Sequence, residues 1–420
     1  MRNPNSNLRV HILCNPIIPT DPKLTADGFN QIAMLTTKEL YYKGHTVFFY
    51  GNGGPEINFD LPCTEYINVL NLDNYIEVID RLGSYEGFND GKYLSWMTDD
   101  LGPHAQTVCR KYNYGCQKLI KDIIQKDDLV LLFWDYSTAV KELCDMVYEN
   151  GGIPVSAWDG SGSIGKWVMP FRYYISSSYH CMVNRRQCME NRDIDRSMWH
   201  VIPFPIDIEE FDYEAVPNKV LDPKGPFLFL GRIQVCKGAC IFTELAKSNP
   251  DKTFWMAGYG KQIGNTLVVD GYKDDETGKY KKHYINLDEI PNLKYWGFAD
   301  RELRKQLLSQ ATALIQPTNY PEPFGLNVIE AYASGTPVIT SKKGAFNETV
   351  QQNVTGYRCW DEDEFKFALE DVAGLSPIEC LGFFNKYDKN RIIDLYIQQL
   401  QRIVAHQEET GDHYLLYEVE

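Results

Sequence analysis

The chain has no run of eighteen apolar residues, so nothing in it is long and apolar enough to cross a bilayer as a helix. Its start, MRNPNSNLRVHILC, enters a strand-like run within a few residues and lacks the apolar core of a secretory leader. The eleven cysteines are odd in number and scattered, with no paired C-x2-C framework. Cys236 and Cys240 stand one helical turn apart, but no neighbouring His or Cys completes a zinc site. The expectation is reduced thiols in a cytoplasmic protein. Internal repeats and low-complexity tracts are also missing. Positive charge is short: 42 Lys and Arg stand against 57 Asp and Glu, a net charge of −15. That balance argues against an enveloping grip on nucleic acid, whose affinity comes largely from phosphate neutralisation.

What is present is ordinary globular composition, 44% hydrophobic and 24% charged. A chain of 420 residues is too long for one ordinary core, and two domains of roughly 150–220 residues are the natural division. Apolar strand-like runs alternate with helical stretches, which predicts an α/β fold with parallel sheets covered by helices on both faces. In the first half the runs are Leu8–Leu13, His45–Tyr50, Tyr66–Leu70, Leu129–Phe133, Ile153–Ala157, Tyr174–Ser177 and His200–Pro203. Helices are expected around 30–43, 105–125, 137–149 and 180–191. Leu221–Gly225, with Pro223 and Lys224, reads as a linker. Strands then follow near 227–230, 253–257, 293–296, 312–316 and 336–340. Residues 260–286 interrupt the rhythm, and the turn-like Asp274–Gly278 predicts a protruding hairpin there. Asn390 to His406 reads as a helix with Ile392, Ile393, Leu395, Tyr396, Leu400 and Ile403 apolar.

The most informative stretch is PEPFGLNVIEAYASGTPV, residues 321–338. Glu322 and Glu330, eight positions apart, bracket a Pro-Phe-Gly turn and an apolar helix that ends at Gly335. That helix is apolar almost all round, so it should be buried. A buried carboxylate needs a partner, so Glu330 requires a donor from the protein or from a ligand. The backbone N–H groups of Gly325, Leu326 and Asn327 open the helix and form a ready anion site beside Glu322. Two carboxylates for hydroxyls flanking a phosphate cradle are what a sugar nucleotide requires. A second element, FLFLGRIQVCKG at 227–238, places Arg232 and Lys237 in a turn framed by Gly231 and Gly238.

These residues resemble the E-x7-E signature and the strand-Gly-Arg-turn-Lys-Gly element of retaining glycosyltransferases of the GT-B fold, family 4, also called group 1. VIPFPIDIEEF at 201–211 is similar to that family's link between its halves. The resemblance implies two Rossmann-like domains with parallel sheets facing a cleft. Residues 1–215 would form the acceptor domain, completed by a C-terminal helix at 388–420 that crosses back, and residues 216–387 the nucleotide-sugar donor domain. It implies that Arg232 and Lys237 hold the donor's phosphates, that Glu330 accepts from the ribose hydroxyls and that Glu322 lies by the transferred sugar. The amides of Phe324, Gly325, Leu326 and Asn327 would touch sugar and phosphate, with the base on backbone near Leu293–Gly297. Gly28 would let the loop after the first strand approach the phosphates. Where the family commonly carries a histidine near the C6 oxygen of the sugar, this chain has Trp158. A pentose donor, or a sugar altered at C6, is one reading of that change. Asp159 is a candidate to orient the acceptor hydroxyl, and a plain turn aspartate fits it equally.

No cofactor and no metal are expected. The acidic doublets Asp99-Asp100, Asp127-Asp128 and Asp274-Asp275 lack the strand-end context that grips a divalent ion beside a pyrophosphate. The expected function is a retaining, metal-independent hexosyl- or pentosyltransferase using a UDP- or GDP-type sugar. Its acceptor would be a glycan, a lipid-linked sugar or a small alcohol. A hydroxymethylated base in DNA is a second acceptor, suggested by Arg110, Lys111, Lys118, Lys121 and Lys126, by basic residues at 160–200, and by Tyr112, Tyr114, Trp167, Phe171, Tyr173 and Tyr174 among them, which could stack on bases. A solvated helix face explains the same charges. A sugar-nucleotide-binding protein without catalysis is the alternative of another class, and the intact Arg232, Lys237, Glu322 and Glu330 speak against it.

Overall fold

The computed structural model describes residues 7–16, 20, 28–53, 60–71, 102–133, 139–159, 167–168, 171–178, 198–273, 280–410 and 417–418. Two compact units emerge from it. The first draws on Met1–Tyr85, Trp96–Pro205 and Lys389–Glu420, and the second spans Ile206–Asp388. The chain passes between them at Pro205, ten residues before the expected boundary at 215.

The first unit holds a parallel sheet built from β1 (Arg9–Leu13), β2 (Thr46–Gly53), β3 (Glu65–Asn71), β4 (Leu129–Leu132), β5 (Ile153–Asp159), β6 (Arg172–Tyr174) and β7 (Trp199–Val201). Their order is β3-β2-β1-β4-β5-β6-β7. The central strands are buried on both faces, as a sheet covered on two sides demands: Val10, Ile12, Val47, Phe49 and Leu129–Leu131 are all buried, and the buried His11 of β1 is satisfied by the Tyr50 hydroxyl and Asp128. Helices α1 (Gly28–Tyr42), α2 (Gly102–Lys121) and α3 (Val140–Glu149) belong to this unit. β6 begins two residues before the expected run Tyr174–Ser177. The helix expected at 180–191 falls outside the described residues.

The second unit holds the parallel sheet that positions the site. It contains β8 (Phe227–Leu230), β9 (Phe254–Ala257), β13 (Leu293–Tyr295), β14 (Ala313–Gln316), β15 (Val338–Ser341) and β16 (Gly356–Cys359), in the order β13-β9-β8-β14-β15-β16. Between β9 and β13 lies an antiparallel sheet of β10 (Lys261–Ile263), β11 (Thr266–Lys273) and β12 (Tyr280–Asn286). The expected hairpin at 260–286 is therefore a three-stranded sheet. It does not simply protrude, because Leu267, Val269 and Ile285 enter the core around Phe229, Phe242 and Phe254. Helices α4 (Ala239–Ser248), α5 (Arg301–Gln310), α6 (Leu326–Ala333), α7 (Glu362–Asp371) and α8 (Pro377–Phe384) complete the unit. Asp300 caps α5 by accepting from Leu303 N–H at 2.8 Å, and Asp361 caps α7 through Glu364 N–H at 3.0 Å.

Leu221–Gly225 lies inside this unit and is not a linker. Asp222 N–H donates to Thr312 Oγ1 at 3.2 Å, and that hydroxyl donates back to Asp222 O at 2.8 Å. The turn cues of Pro223 and Gly225 were correct, but the turn is anchored to the start of β14.

The C-terminal helix α9 (Lys389–Thr410) packs on α1. Lys389 pairs with Glu39 at 3.2 Å and Lys43 with Asp394 at 2.7 Å, while Tyr396 meets Tyr173 of β6 edge-on at 5.0 Å. The last helix thus completes the first unit.

α6 is buried along nearly its whole length, from Val328 to Ala333. Lys219 fixes its far end. The half-buried lysine side chain donates from Nζ to Ser334 O at 3.0 Å, to Leu308 O at 3.1 Å and to Thr336 Oγ1. Those carbonyls are helix-end acceptors of α6 and α5 with no partner of their own in the helix. Lys219→Ala is expected to destabilise the unit by about 1–2 kcal/mol, because Ser334 O loses its closest donor while Leu308 O keeps the Thr336 hydroxyl. Urea unfolding checks this, with the midpoint falling and the slope unchanged.

Candidate functional site

The site grows from the ends of β8 and β14. After β8 the chain turns through Gly231 and Arg232 to Gly238, whose φ of +87° suits glycine. A Cβ at Gly238 would lie 2.1 Å from Pro317 O, so the turn sits directly on the end of β14. Asn319 N–H donates to Cys236 O at 2.7 Å and joins the two loops. Two side-chain amides converge on one carbonyl: Gln316 Nε2 and Asn327 Nδ2 both donate to Leu230 O, at 2.9 and 2.6 Å. The first turn of α6 is thereby tied to the end of β8.

Glu322 is held from behind. Ala345 N–H donates to its carbonyl at 2.8 Å, and a Cβ at Gly344 would come within 2.4 Å of its backbone N and O. Gly325, at φ +81°, then starts α6, so the amides of Leu326 and Asn327 open the helix next to the glutamate. The Phe324 side chain is buried against Tyr387, ring centres 5.8 Å apart. What it offers a ligand is its backbone, not its ring.

The charged groups meet here. Lys237 Nζ lies 3.0 Å from Glu322 Oε2. It also donates to the hydroxyl of Tyr320, which donates in turn to the same carboxylate oxygen. The ammonium stands 4.7 Å from the centre of the Tyr320 ring. Burial pushes the Glu322 carboxyl up, but Lys237, the Tyr320 hydroxyl and Arg232 together hold it below its ordinary value. The Arg232 guanidinium has no hydrogen-bond or ion-pair partner among the described residues, although its charge acts on both Tyr320 and Glu322. A free guanidinium beside an ammonium and a helix start can take a diphosphate.

Glu330, 5% exposed, has its partner in Arg304 of α5, whose Nη1 is 3.0 Å from Oε1. Burial still raises the carboxyl above its usual range, against the pull of Arg304. The donor that the sequence required is therefore supplied by the protein in this state. Oε2 receives no protein donor among the described residues and can accept from a ligand hydroxyl. The strand end proposed for the base is built by backbone, with Gly258 N–H donating to Gly297 O at 2.8 Å. Gly28 and Asp159 belong to the first unit. Gly28 is the first residue of α1 and Asp159 the last of β5, while the side chains of Asp159 and Trp158 fall outside the described residues.

Tyr320 and Arg304 escaped the sequence reading. Tyr320 stands two positions before Glu322 in a loop of turn-forming residues, and Arg304 is one of several cations on an amphipathic helix. Neither position carries a spacing signal. Among the described residues, no group of three or more His, Cys, Asp or Glu side chains is placed to hold a metal ion.

Residues 214–372 match the family model described as glycosyl transferases group 1. A glycogen synthase of Mycobacterium tuberculosis is 31% identical over 153 residues, 36% of this chain and 31% of that protein. A D-inositol 3-phosphate glycosyltransferase of Corynebacterium diphtheriae is 29% identical over 158 residues, covering 36% and 34%. The chain thus spans about a third of the length of these curated relatives. Among solved structures, HepE of Anabaena, in complex with UDP and glucose, superposes with a TM-score of 0.56 at 14% identity, over 94% of this chain and 100% of that one. AviGT4, a glycosyltransferase involved in avilamycin A biosynthesis, gives 0.54 at 17% identity over 95% and 98%. At such identity these likenesses establish the fold, the GT-B arrangement of two parallel-sheet α/β domains.

Proposed function

We propose, because residues 214–372 match the model of group 1 glycosyl transferases, that the protein transfers a sugar from a nucleoside diphosphate sugar to an acceptor hydroxyl, with retention of configuration. The observation that carries the proposal is the convergence of Arg232, Lys237, Glu322 and the start of α6 within one loop cluster. As the bond from sugar to phosphate breaks, negative charge grows on the leaving oxygen. Arg232 and Lys237 stabilise that charge more in the transition state than in the ground state. Glu322 receives a hydroxyl of the transferred sugar, and Glu330 the ribose hydroxyls through Oε2. Retention follows from attack on the face the phosphate leaves, with the departing phosphate taking the acceptor's proton.

The protein's own cations serve where other transferases use a divalent ion. Turnover is accordingly expected to stay within about twofold when millimolar EDTA is added, a change too small to count as loss of an electrostatic catalyst. A collapse of activity that Mg²⁺ or Mn²⁺ restores would refute metal independence. The donor is proposed to be UDP- or GDP-linked, with the relative crystallised with UDP and glucose favouring UDP. A panel of nucleotide sugars, read by released nucleoside diphosphate and followed by mass spectrometry of acceptor candidates, tests the whole reading.

The acceptor is proposed to be a glycan, a lipid-linked sugar or a small alcohol. One observation favours DNA instead: Arg110, Lys111, Tyr114, Lys118 and Lys121 of α2 are all exposed, although Tyr112, Phe171, Tyr173 and Tyr174, expected to stack on bases, are buried in the first unit and closed to them. Duplex binding that weakens steeply with salt would move the acceptor to DNA.

A further inference from the structure

Tyr320 stands at the centre of the donor cluster and belongs to neither the Gly-Arg-turn-Lys-Gly element nor the pair of glutamates. Its hydroxyl accepts from Lys237 Nζ and donates to Glu322 Oε2, which Lys237 also reaches at 3.0 Å. Both protein donors to the carboxylate therefore end on one oxygen. Oε1 has no donor among the described residues, and the glutamate side chain keeps 13% of its surface accessible. Burial, and then the charge of Glu322, raise the Tyr320 hydroxyl far above its ordinary range. It remains a neutral phenol at any working pH, and its one proton goes to Oε2. The terminal torsion of a glutamate is otherwise broad, so two donors on one oxygen select a single carboxylate orientation.

We propose that Tyr320 is a positioning residue for donor recognition. With Lys237 it occupies Oε2 of Glu322 and leaves Oε1 as the acceptor for a hydroxyl of the transferred sugar. This rests on the donor reading above and adds to it a division of labour between the two oxygens. The sugar, not the diphosphate, is what depends on the phenol.

The test is calorimetric titration of wild type, Tyr320→Phe, Glu322→Gln and the double variant with UDP, UDP-glucose, GDP and GDP-mannose. Phenylalanine keeps the ring under Lys237 and removes only the hydroxyl, and thermal melting checks that the fold is retained. The expected result is about a tenfold loss of sugar-nucleotide affinity in Tyr320→Phe, with the parent nucleoside diphosphate held within about twofold. The double variant should bind no more weakly than Glu322→Gln, because both changes remove one interaction. Equal weakening of diphosphate and sugar nucleotide, or no change in either, overturns the proposal while leaving the donor site standing. Failure of wild type to bind any of the four removes the donor reading, and this inference falls with it.

Discussion

Arg232→Ala is expected to lower turnover by about 10²–10³-fold while lowering the melting temperature only slightly. The size is that of one preorganised donor removed from developing charge, about 2.7–4 kcal/mol of barrier. Stability is nearly spared because the guanidinium has no hydrogen-bond or ion-pair partner among the described residues and acts on the Glu322 carboxyl only through its charge, behind Lys237 and the Tyr320 hydroxyl. Lys237→Ala should behave differently. The ammonium answers the buried Glu322 carboxylate at 3.0 Å, and without it burial raises the carboxyl. The wild-type carboxyl is depressed, so its contribution to stability is present above the unfolded pKa and is lost as pH falls through the folded one. Lys237→Ala should therefore lose turnover and also melt lower at neutral pH. Paired kinetics and melting curves separate the two: a cation that serves mainly the ligand against one that serves ligand and fold together. Equal melting losses in both variants would contradict this assignment.

The second large effect concerns Arg304. Breaking a buried ion pair by removing one partner costs about 3–5 kcal/mol, because an uncompensated charge stays behind. Arg304→Ala leaves the Glu330 carboxylate in that position, at 5% exposure on the buried helix α6. The Glu330 carboxyl is raised in the folded state even with Arg304 present. A raised acid binds its proton more tightly folded than unfolded, so stability falls as pH rises from the ordinary carboxylate range through the folded pKa. Arg304→Ala widens that window. The variant's deficit should be small in mild acid and largest at neutral pH, and Glu330→Gln in the same background should recover part of it. Melting midpoints across pH read both. A deficit that is flat with pH would mean that Arg304 acts by packing and not by charge.

The sequence made the site legible where backbone geometry dictates residue type. Gly238 sits on Pro317 O and Gly325 opens α6 with a positive φ, and such positions select glycine and leave a readable pattern. The E-x7-E spacing is legible for the same reason, since α6 fixes Glu330 along a helix and the loop fixes Glu322. The central strands were readable from apolar runs, because both faces of those sheets are covered. Side chains recruited from elsewhere left no mark. Arg304 reaches Glu330 from a different helix, and Tyr320 acts through a hydroxyl that any tyrosine carries. The turn at Leu221–Gly225 misled for a physical reason: Pro and Gly report a change of direction, not whether the turn lies between domains or inside one. The third strand of the 260–286 sheet was missed because Lys261–Ile263 is short and wholly exposed, so it carries no alternation of buried and solvated residues.

The central claim is that a diphosphate is gripped by two protein cations and a helix start. A crystal structure of the chain with a bound nucleotide sugar tests it directly. The account predicts pyrophosphate oxygens within hydrogen-bond distance of Arg232, Lys237 and the first amides of α6, with sugar and ribose hydroxyls on Glu322 and Glu330. A nucleotide sugar bound elsewhere, or its pyrophosphate held by a divalent ion away from Arg232 and Lys237, would contradict it.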